Sequence, residues 1–184
     1  MSLETPERMN PDAPSALRIR DGSVDDAERI EAVHYESREA AYADRVSEWP
    51  PAGPDRAGRI ARWERWLADC GISCLVGEID DELVGFCTVR ASQDPDAGGA
   101  DVAEMPTLYV RPGVWHRGHG RALCEAGIGR AVSQGFRSMT LWVLEINKRA
   151  CAFYEAFGFV PDGVTKIDMS SRDALVARRY RISL

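Results

Sequence analysis

The chain has 184 residues, enough for one domain, and its 45% hydrophobic and 28% charged residues are typical of a folded globular protein and exclude a largely disordered one. The formal net charge of −6 argues against nucleic acid as the main partner. No stretch approaches the roughly 20 apolar residues of a membrane-spanning helix, so no membrane partner is expected.

The chain opens with polar residues and prolines, which predicts a flexible tail over residues 1–16 and a single domain over residues 17–184. The first ten residues contain no apolar signal core, so we expect a cytoplasmic protein. The five cysteines are odd in number and form no C-x-x-C pair, which favours reduced and mostly buried thiols. Neither they nor the three histidines have the spacing of a metal site, so no bound metal is expected.

A strand and two helices are predicted in the first part of the domain. Residues 17–20 alternate apolar and charged side chains, as a half-buried strand does. Ser23 and the acids after it are typical of a helix start, and apolar residues at helical spacing extend this helix to about Tyr42. A proline-rich loop over residues 49–54 separates it from a second helix over residues 55–69.

After the second helix, the spacing of the apolar residues changes to one that is typical of strands. Residues 73–79 and 83–89 flank an Asp-Asp turn and predict a β-hairpin. After a long polar loop, residues 102–111 contain a third strand. Pro106 lies inside it, and because proline removes a ladder donor we expect a bulge or a local opening of the sheet there.

The last part of the chain predicts a helix over residues 120–134, a buried strand over residues 139–144, a helix over residues 148–157 that ends at Gly158, and a final strand over residues 174–182. The order of elements is therefore β-α-α-β-β-β-α-β-α-β. This order predicts an α/β fold with one mixed sheet and helices on its faces.

A glycine-rich turn joins the third strand to the third helix. The crossover that it begins is expected to be right-handed. Because the turn directly follows a strand, it lies at the carboxyl end of that strand, the usual ligand position in such sheets. Gly118 and Gly120 let the backbone approach a phosphate, and the free amides of the following helix point at it. Arg117 and Arg121 add positive charge. On the glycines alone, an ordinary turn remains an equal alternative.

Two known phosphate motifs do not fit this turn. The P-loop requires Gly-Lys-Ser/Thr, but Arg121 and Ala122 follow Gly120. The dinucleotide fingerprint requires a third glycine where Leu123 stands. A nucleotide-binding protein is therefore kept as an alternative function that ranks below the two described next.

The turn resembles the pyrophosphate loop of the GCN5-related N-acetyltransferase (GNAT) family, the acetyl-CoA-dependent acyltransferases. That loop reads (Gln/Arg)-x-x-Gly-x-(Gly/Ala), and here Trp115 takes the first position ahead of Gly118 and Gly120, after a Val-x-Pro that is in register. A shifted match, which starts at Arg117 and ends at Ala122, also fits the short pattern.

A second block supports the resemblance. Residues 141–159 are similar to the family's strand–Asn–helix signature with Phe-Tyr-Glu and Gly-Phe, and residues 33–42 resemble its substrate-side first helix. The resemblance covers residues 17–184 and implies a GNAT-like fold. It also implies direct transfer of an acetyl group from acetyl-CoA to a primary amine, small-molecule or peptide, with a small-molecule amine favoured. A non-catalytic acyl-CoA-binding or sensing domain is the alternative.

The resemblance also implies the residues that bind the cofactor. They are Leu108, Tyr109, Val110, Trp115, His116, Arg117, Gly118, His119, Gly120, Arg121, Asn147 and Tyr154. The turn would hold the pyrophosphate, the strand backbone would bind the pantetheine arm, and a strand amide near Val110 is the expected donor to the oxyanion. Because family members are often dimers, a homodimer that uses the aromatic residues around 49–66 is a further possibility.

Five side chains carry the expected chemistry. Tyr154 lies seven residues after Asn147, on the same helix face, and the resemblance makes it the general acid for the coenzyme A thiolate, with a core aromatic as the alternative. Glu104, at the start of the third strand, is the favoured general base, acting through water, and a solvated carboxylate is its alternative. Glu145 is the second candidate base, and His34 is a candidate for lining the acceptor cleft or for a purely structural role.

Overall fold

The computed structural model describes residues 16–46, 54–168 and 174–184, and these form a seven-stranded sheet with four α-helices. The strands are β1 (Arg18–Asp21), β2 (Ile72–Ile79), β3 (Glu82–Ala91), β4 (Val102–Val110), β5 (Ser138–Leu144), β6 (Val160–Asp168) and β7 (Leu175–Ser183). The helices are α1 (Ala27–Tyr42), α2 (Arg56–Ala68), α3 (His119–Ser133) and α4 (Lys148–Phe157). Every predicted element is present, and β6 is an addition that the pattern of the sequence did not show. Nearly all of the predicted tail and of the loop at 49–54 lies outside the described residues.

The strands lie in the order β1-β2-β3-β4-β5-β7-β6. Only β4 and β5 are parallel among these neighbours, and α3 makes the crossover between them. The predicted α/β class with one mixed sheet is confirmed. No helix in the described ranges is long and apolar enough to cross a membrane.

Helices cover both faces of the sheet because neighbouring strand residues point to opposite faces. Phe86 packs with Ile30 and Trp63 under α1 and α2, while Cys87, the next residue of β3, packs with residues of α3 on the other face. Trp63 is only 3% exposed, so this member of the 49–66 aromatic set belongs to the core and is not a dimer surface.

The parallel strands β4 and β5 diverge soon after they meet. Within the described chain, their pairing is confined to residues 102–104 of β4 and 138–140 of β5. Directly beyond the paired part, Met105 and Pro106 together oppose one residue of β3, which is a bulge. The expected effect of Pro106 is confirmed, since a proline cannot donate to the ladder. A gap therefore opens along the rest of β4.

A buried ion cluster fastens the start of α1 to the sheet. Asp26, 3% exposed, accepts hydrogen bonds from two guanidinium nitrogens of Arg20 at 2.7 Å, and Glu78 accepts another from Arg20 at 2.6 Å. The bonds from Arg20 lower the pKa of Asp26 from 3.8 to about 2. The pKa of Asp26 is lower in the folded protein than its ordinary value of 3.8. The stabilisation is therefore fully present when the pH is above 3.8 and is lost as the pH falls towards 2.

We expect Arg20→Met to lower the free energy of unfolding at pH 7 by about 3 kcal/mol, because it leaves two buried carboxylates without their main cation. In the wild type, the free energy of unfolding should fall as the pH drops from 3.8 to 2, and the variant should lose part of this pH dependence. Urea unfolding at several pH values measures both effects. Arg56→Met is the matched control, since Arg56 pairs with the exposed Glu28 alone among the described residues, and this substitution should change stability by less than about 1 kcal/mol. An unchanged acid dependence in Arg20→Met would contradict the assignment.

Candidate active site

A cavity of about 560 Å³ lies where β4 diverges from β5. Its walls are the C-terminal half of α1, the end of β4, the glycine turn and one face of α4. The lining residues are Ser37, Ala41, Leu108, Tyr109, Val110, Val114, Trp115, His116, Gly118, Gly120, Arg121, Asn147, Arg149, Ala150, Ala152, Phe153, Tyr154, Ala156 and Phe157. The cavity thus brings together the two sequence motifs, which are far apart in the chain.

The end of β4 presents backbone groups to the gap. The N–H of Arg111 donates to the carbonyl of Val84 on β3 at 2.8 Å. Because backbone groups alternate in direction along a strand, Tyr109 also turns its backbone to β3, while Leu108 and Val110 turn theirs toward the gap. Of the three predicted strand residues, Tyr109 therefore offers the cavity its side chain rather than its backbone.

The carbonyl of Val110 is already occupied. It accepts a hydrogen bond from the Ser37 hydroxyl at 2.9 Å and one from the Trp115 indole N–H at 2.5 Å. The Val110 N–H and the Leu108 backbone remain directed at the gap. Sequence reasoning missed Ser37, although its spacing from His34 places it on the buried face of α1.

The glycine turn adopts the backbone of an anion site. Gly118, the N-cap of α3, has a φ of 86°, a left-handed conformation that favours glycine, and His116 has a φ of 62°. The first amides of α3 have no partner within the helix, and the helix dipole makes that end positive. The predicted residues Arg117 and His119 are not among the cavity's lining residues in the described chain. Arg117 is exposed, because the turn directs it to solvent.

Tyr154 lies on the face of α4 that forms the cavity wall. It is 8% exposed and packs edge-on against Phe153 and Phe159, with ring centroids 5.1 and 5.6 Å away. Burial raises the pKa of Tyr154 well above 10, so its hydroxyl keeps its proton at neutral pH. The side chain thus places a buried, protonated hydroxyl at the cavity wall.

Asn147 caps the helix that carries Tyr154. Its Oδ1 accepts from the N–H of Ala150 at 3.2 Å, and its Nδ2 donates to the hydroxyl of Tyr42 on α1 at 3.1 Å. Both Asn147 and Tyr154 line the cavity, as their spacing predicts. The Asn147 side chain therefore orders the cavity wall and joins α4 to α1.

The two candidate bases lie away from the cavity lining. Glu104 faces the side of β4 opposite to Ala103 and Met105, is 7% exposed, and accepts two hydrogen bonds from Arg90 at 3.0 and 3.1 Å. Glu145 accepts two from Arg178 at 2.6 and 3.1 Å and lines a separate cavity of about 210 Å³. The structure places both near strand ends, as predicted, and neither is among the residues that line the main cavity.

His34 lies in an aromatic cluster and not on the cavity wall. Its ring meets Trp63 and Tyr109 edge-on, with centroids 5.4 and 4.7 Å away, and its Nδ1 is 3.8 Å from a carboxylate oxygen of Glu31. Burial is the largest effect on the His34 pKa and lowers it, so the ring is neutral at pH 7. His34 supports Tyr109, which does line the cavity.

The cysteines are free thiols, and none of them lines the main cavity. Cys87 and Cys124 are fully buried, and burial raises the pKa of Cys124 to about 12. These thiols pack in the core and are poor nucleophiles. Within the described ranges, no group of His, Cys, Asp and Glu side chains could hold a metal ion.

The comparison with known proteins identifies the class. Residues 36–159 match the acetyltransferase (GNAT) family, and the chain belongs to this family. It is 29% identical over 180 residues to a mycothiol acetyltransferase of Propionibacterium freudenreichii subsp. shermanii, which covers 97% of this chain and 54% of that protein. A mycothiol acetyltransferase of Sanguibacter keddieii is 33% identical over 119 residues, 65% of this chain and 36% of that protein. The chain thus spans about half, or less, of the length of these relatives.

Solved structures show the same fold. The PaiA N-acetyltransferase of Thermoplasma acidophilum, solved with coenzyme A, aligns with a TM-score of 0.70 and 22% identity, over 91% of this chain and 99% of that one. The ribosomal-protein-alanine N-acetyltransferase of Brucella melitensis aligns with a TM-score of 0.72 and 20% identity, over the same shares of the two chains. The expected GNAT fold is therefore confirmed.

Proposed function

We propose that this acetyltransferase moves the acetyl group of acetyl-CoA directly to a primary amine in a ternary complex, and that the amine belongs to a small molecule. The observation that carries the proposal is the single cavity in which the gap beside β4 meets the glycine turn. A similar structure solved with coenzyme A supports the donor. Relatives named mycothiol acetyltransferase support a small-molecule acceptor.

The cavity fits an elongated donor with a diphosphate at one end. The amides at the start of α3, with Gly118 and Gly120, would hold the diphosphate. The Leu108 backbone would pair with the amides of the pantetheine arm, as a neighbouring strand would, and the Val110 N–H stays free for the thioester carbonyl. This leaves the thioester beside Tyr154. Acetyl-CoA supplies a thioester whose carbonyl carbon is open to attack by an amine.

The chain's own groups would serve each stage of the transfer. The amine nitrogen forms a bond to the carbonyl carbon, and the Val110 N–H stabilises the charge on the carbonyl oxygen. The carbon–sulfur bond then breaks, and the Tyr154 hydroxyl gives its proton to the departing thiolate. The proton lost by the amine passes through water to Glu104. Holding both reactants in one cavity makes the reaction effectively unimolecular.

Calorimetry with coenzyme A, followed by thiol release from acetyl-CoA, tests the proposal. We expect heat of binding and release of thiol with some member of a panel of alkylamines, amino acids and aminosugars, and none with peptides that offer only an α-amine or a lysine. Binding without release for any amine would favour a non-catalytic acyl-CoA sensor. Stronger competition by ATP or NAD would favour a nucleotide-binding protein. No heat with coenzyme A would refute the proposal.

A further inference from the structure

Arg149 and Trp115 form a stack at the cavity wall. The guanidinium carbon of Arg149, in the first turn of α4, lies 3.4 Å from the centroid of the Trp115 ring. The indole N–H of Trp115 donates to the carbonyl of Val110, which fixes the ring against the end of β4. Both side chains line the main cavity. The stack thus holds a cation from α4 beside the glycine turn.

This geometry explains the departure at the first position of the loop motif. Trp115 stands where the family pattern has Gln or Arg, so the loop itself has no polar side chain at that position. Arg149 brings a guanidinium to the same place from another element. We propose that Arg149, held by Trp115, binds the diphosphate of the donor, an inference that rests on the proposed function. Arg149 thereby selects donors that carry a diphosphate over simple acyl-pantetheines.

The charge around Arg149 favours an anion. None of the ion pairs or hydrogen bonds among the described residues gives the Arg149 side chain a carboxylate partner. Burial lowers its pKa, and the positive charge of Arg45 lowers it further, because the two like charges repel. A phosphate placed between the turn and the stack would relieve that repulsion. A planar guanidinium can donate two parallel hydrogen bonds to a phosphate.

Binding of three ligands separates this role from a general effect on the cavity. Coenzyme A and dephospho-coenzyme A carry the diphosphate, whereas pantetheine carries none. For Arg149→Met we expect the Kd of both phosphorylated ligands to rise about tenfold or more, since a charge-assisted bond is lost. The Kd of pantetheine should stay unchanged. Trp115→Leu, which removes the ring under the guanidinium, should give the same selective loss, and Arg149→Lys a smaller one.

Arg56→Met is the matched control, because it removes an exposed arginine on α2 whose ion pair, within the part of the chain that the structure describes, is with Glu28. It should bind all three ligands as the wild type does. Equal weakening of pantetheine by Arg149→Met, or no weakening of coenzyme A, would overturn the assignment while the proposed function stands. Weakening of coenzyme A alone, with dephospho-coenzyme A unaffected, would place Arg149 at the 3′-phosphate and also overturn it. A wild type that binds no coenzyme A would instead refute the proposed function.

Discussion

Tyr154→Phe is expected to lower the kcat of acetyl transfer by about 10²-fold or more, the usual worth of a positioned general acid. Coenzyme A should bind as before, since the ring and its contacts with Phe153 and Phe159 remain. The departing thiolate is a better base than water, with an ordinary thiol pKa of about 8.5, and needs a nearby proton. The buried Tyr154 hydroxyl has one, because its pKa lies well above 10. Steady-state thiol release and calorimetry measure the two quantities.

Tyr180→Phe is the matched control. Tyr180 is also a buried tyrosine, 1% exposed, but its hydroxyl donates to Glu155 at 2.9 Å and it does not line the main cavity. This change should cost stability and leave kcat unchanged. The pH profile gives a second test, because the raised pKa of Tyr154 predicts no alkaline loss of its proton below pH 10. If Tyr154→Phe keeps the wild-type kcat while coenzyme A still binds, another group is the acid.

Local sequence signals predicted most of the fold. Periodicity, caps and turns placed the four helices and six of the seven strands because each signal depends on neighbours in the chain. β6 escaped because it is an edge strand with mostly exposed residues, and Pro161 and Gly163 lie within it. Its pairing with β7 comes from the sheet and not from its own pattern.

The candidate site also contains residues that local sequence signals predicted and residues that they did not. Gly118, Asn147 and Tyr154 were predictable because the turn and α4 are local motifs, and the fold brings them into one cavity. Ser37 and Arg149 were not, because each matters only through a contact with a distant element. Tertiary contacts thus decide which residues of a recognisable motif line the cavity.

The two candidate bases also show that sequence alone does not reveal the surroundings of a side chain. Glu104 and Glu145 look alike in the sequence, as carboxylates near the ends of neighbouring strands. Their different surroundings depend on which face of the strand they occupy and on Arg90 and Arg178, which lie on other strands. This difference makes them a matched pair for experiment.

Glu104→Gln is expected to lower kcat at pH 7 by about 10²-fold, because an alkylamine with an ordinary pKa near 10 is almost fully protonated there and loses its only assisted route to the free base. As the pH rises toward 10, solvent deprotonates the amine and the deficit should shrink. The glutamine keeps an oxygen that accepts from Arg90, so the free energy of unfolding should fall by less than about 1.5 kcal/mol. Rate profiles between pH 6 and 10 with a primary alkylamine, together with urea unfolding, measure these effects.

Glu145→Gln tests whether the loss is specific to the base. Glu145 holds a similar pair of hydrogen bonds, from Arg178, but lines the separate cavity on the other side of α4. Its substitution should leave both kcat and the pH profile unchanged. A constant deficit for Glu104→Gln at every pH would mean that the carboxylate only supports β4 through Arg90. A loss in Glu145→Gln that shrinks as the pH rises would move the role of base to Glu145, because only a proton acceptor becomes dispensable once the amine is already neutral.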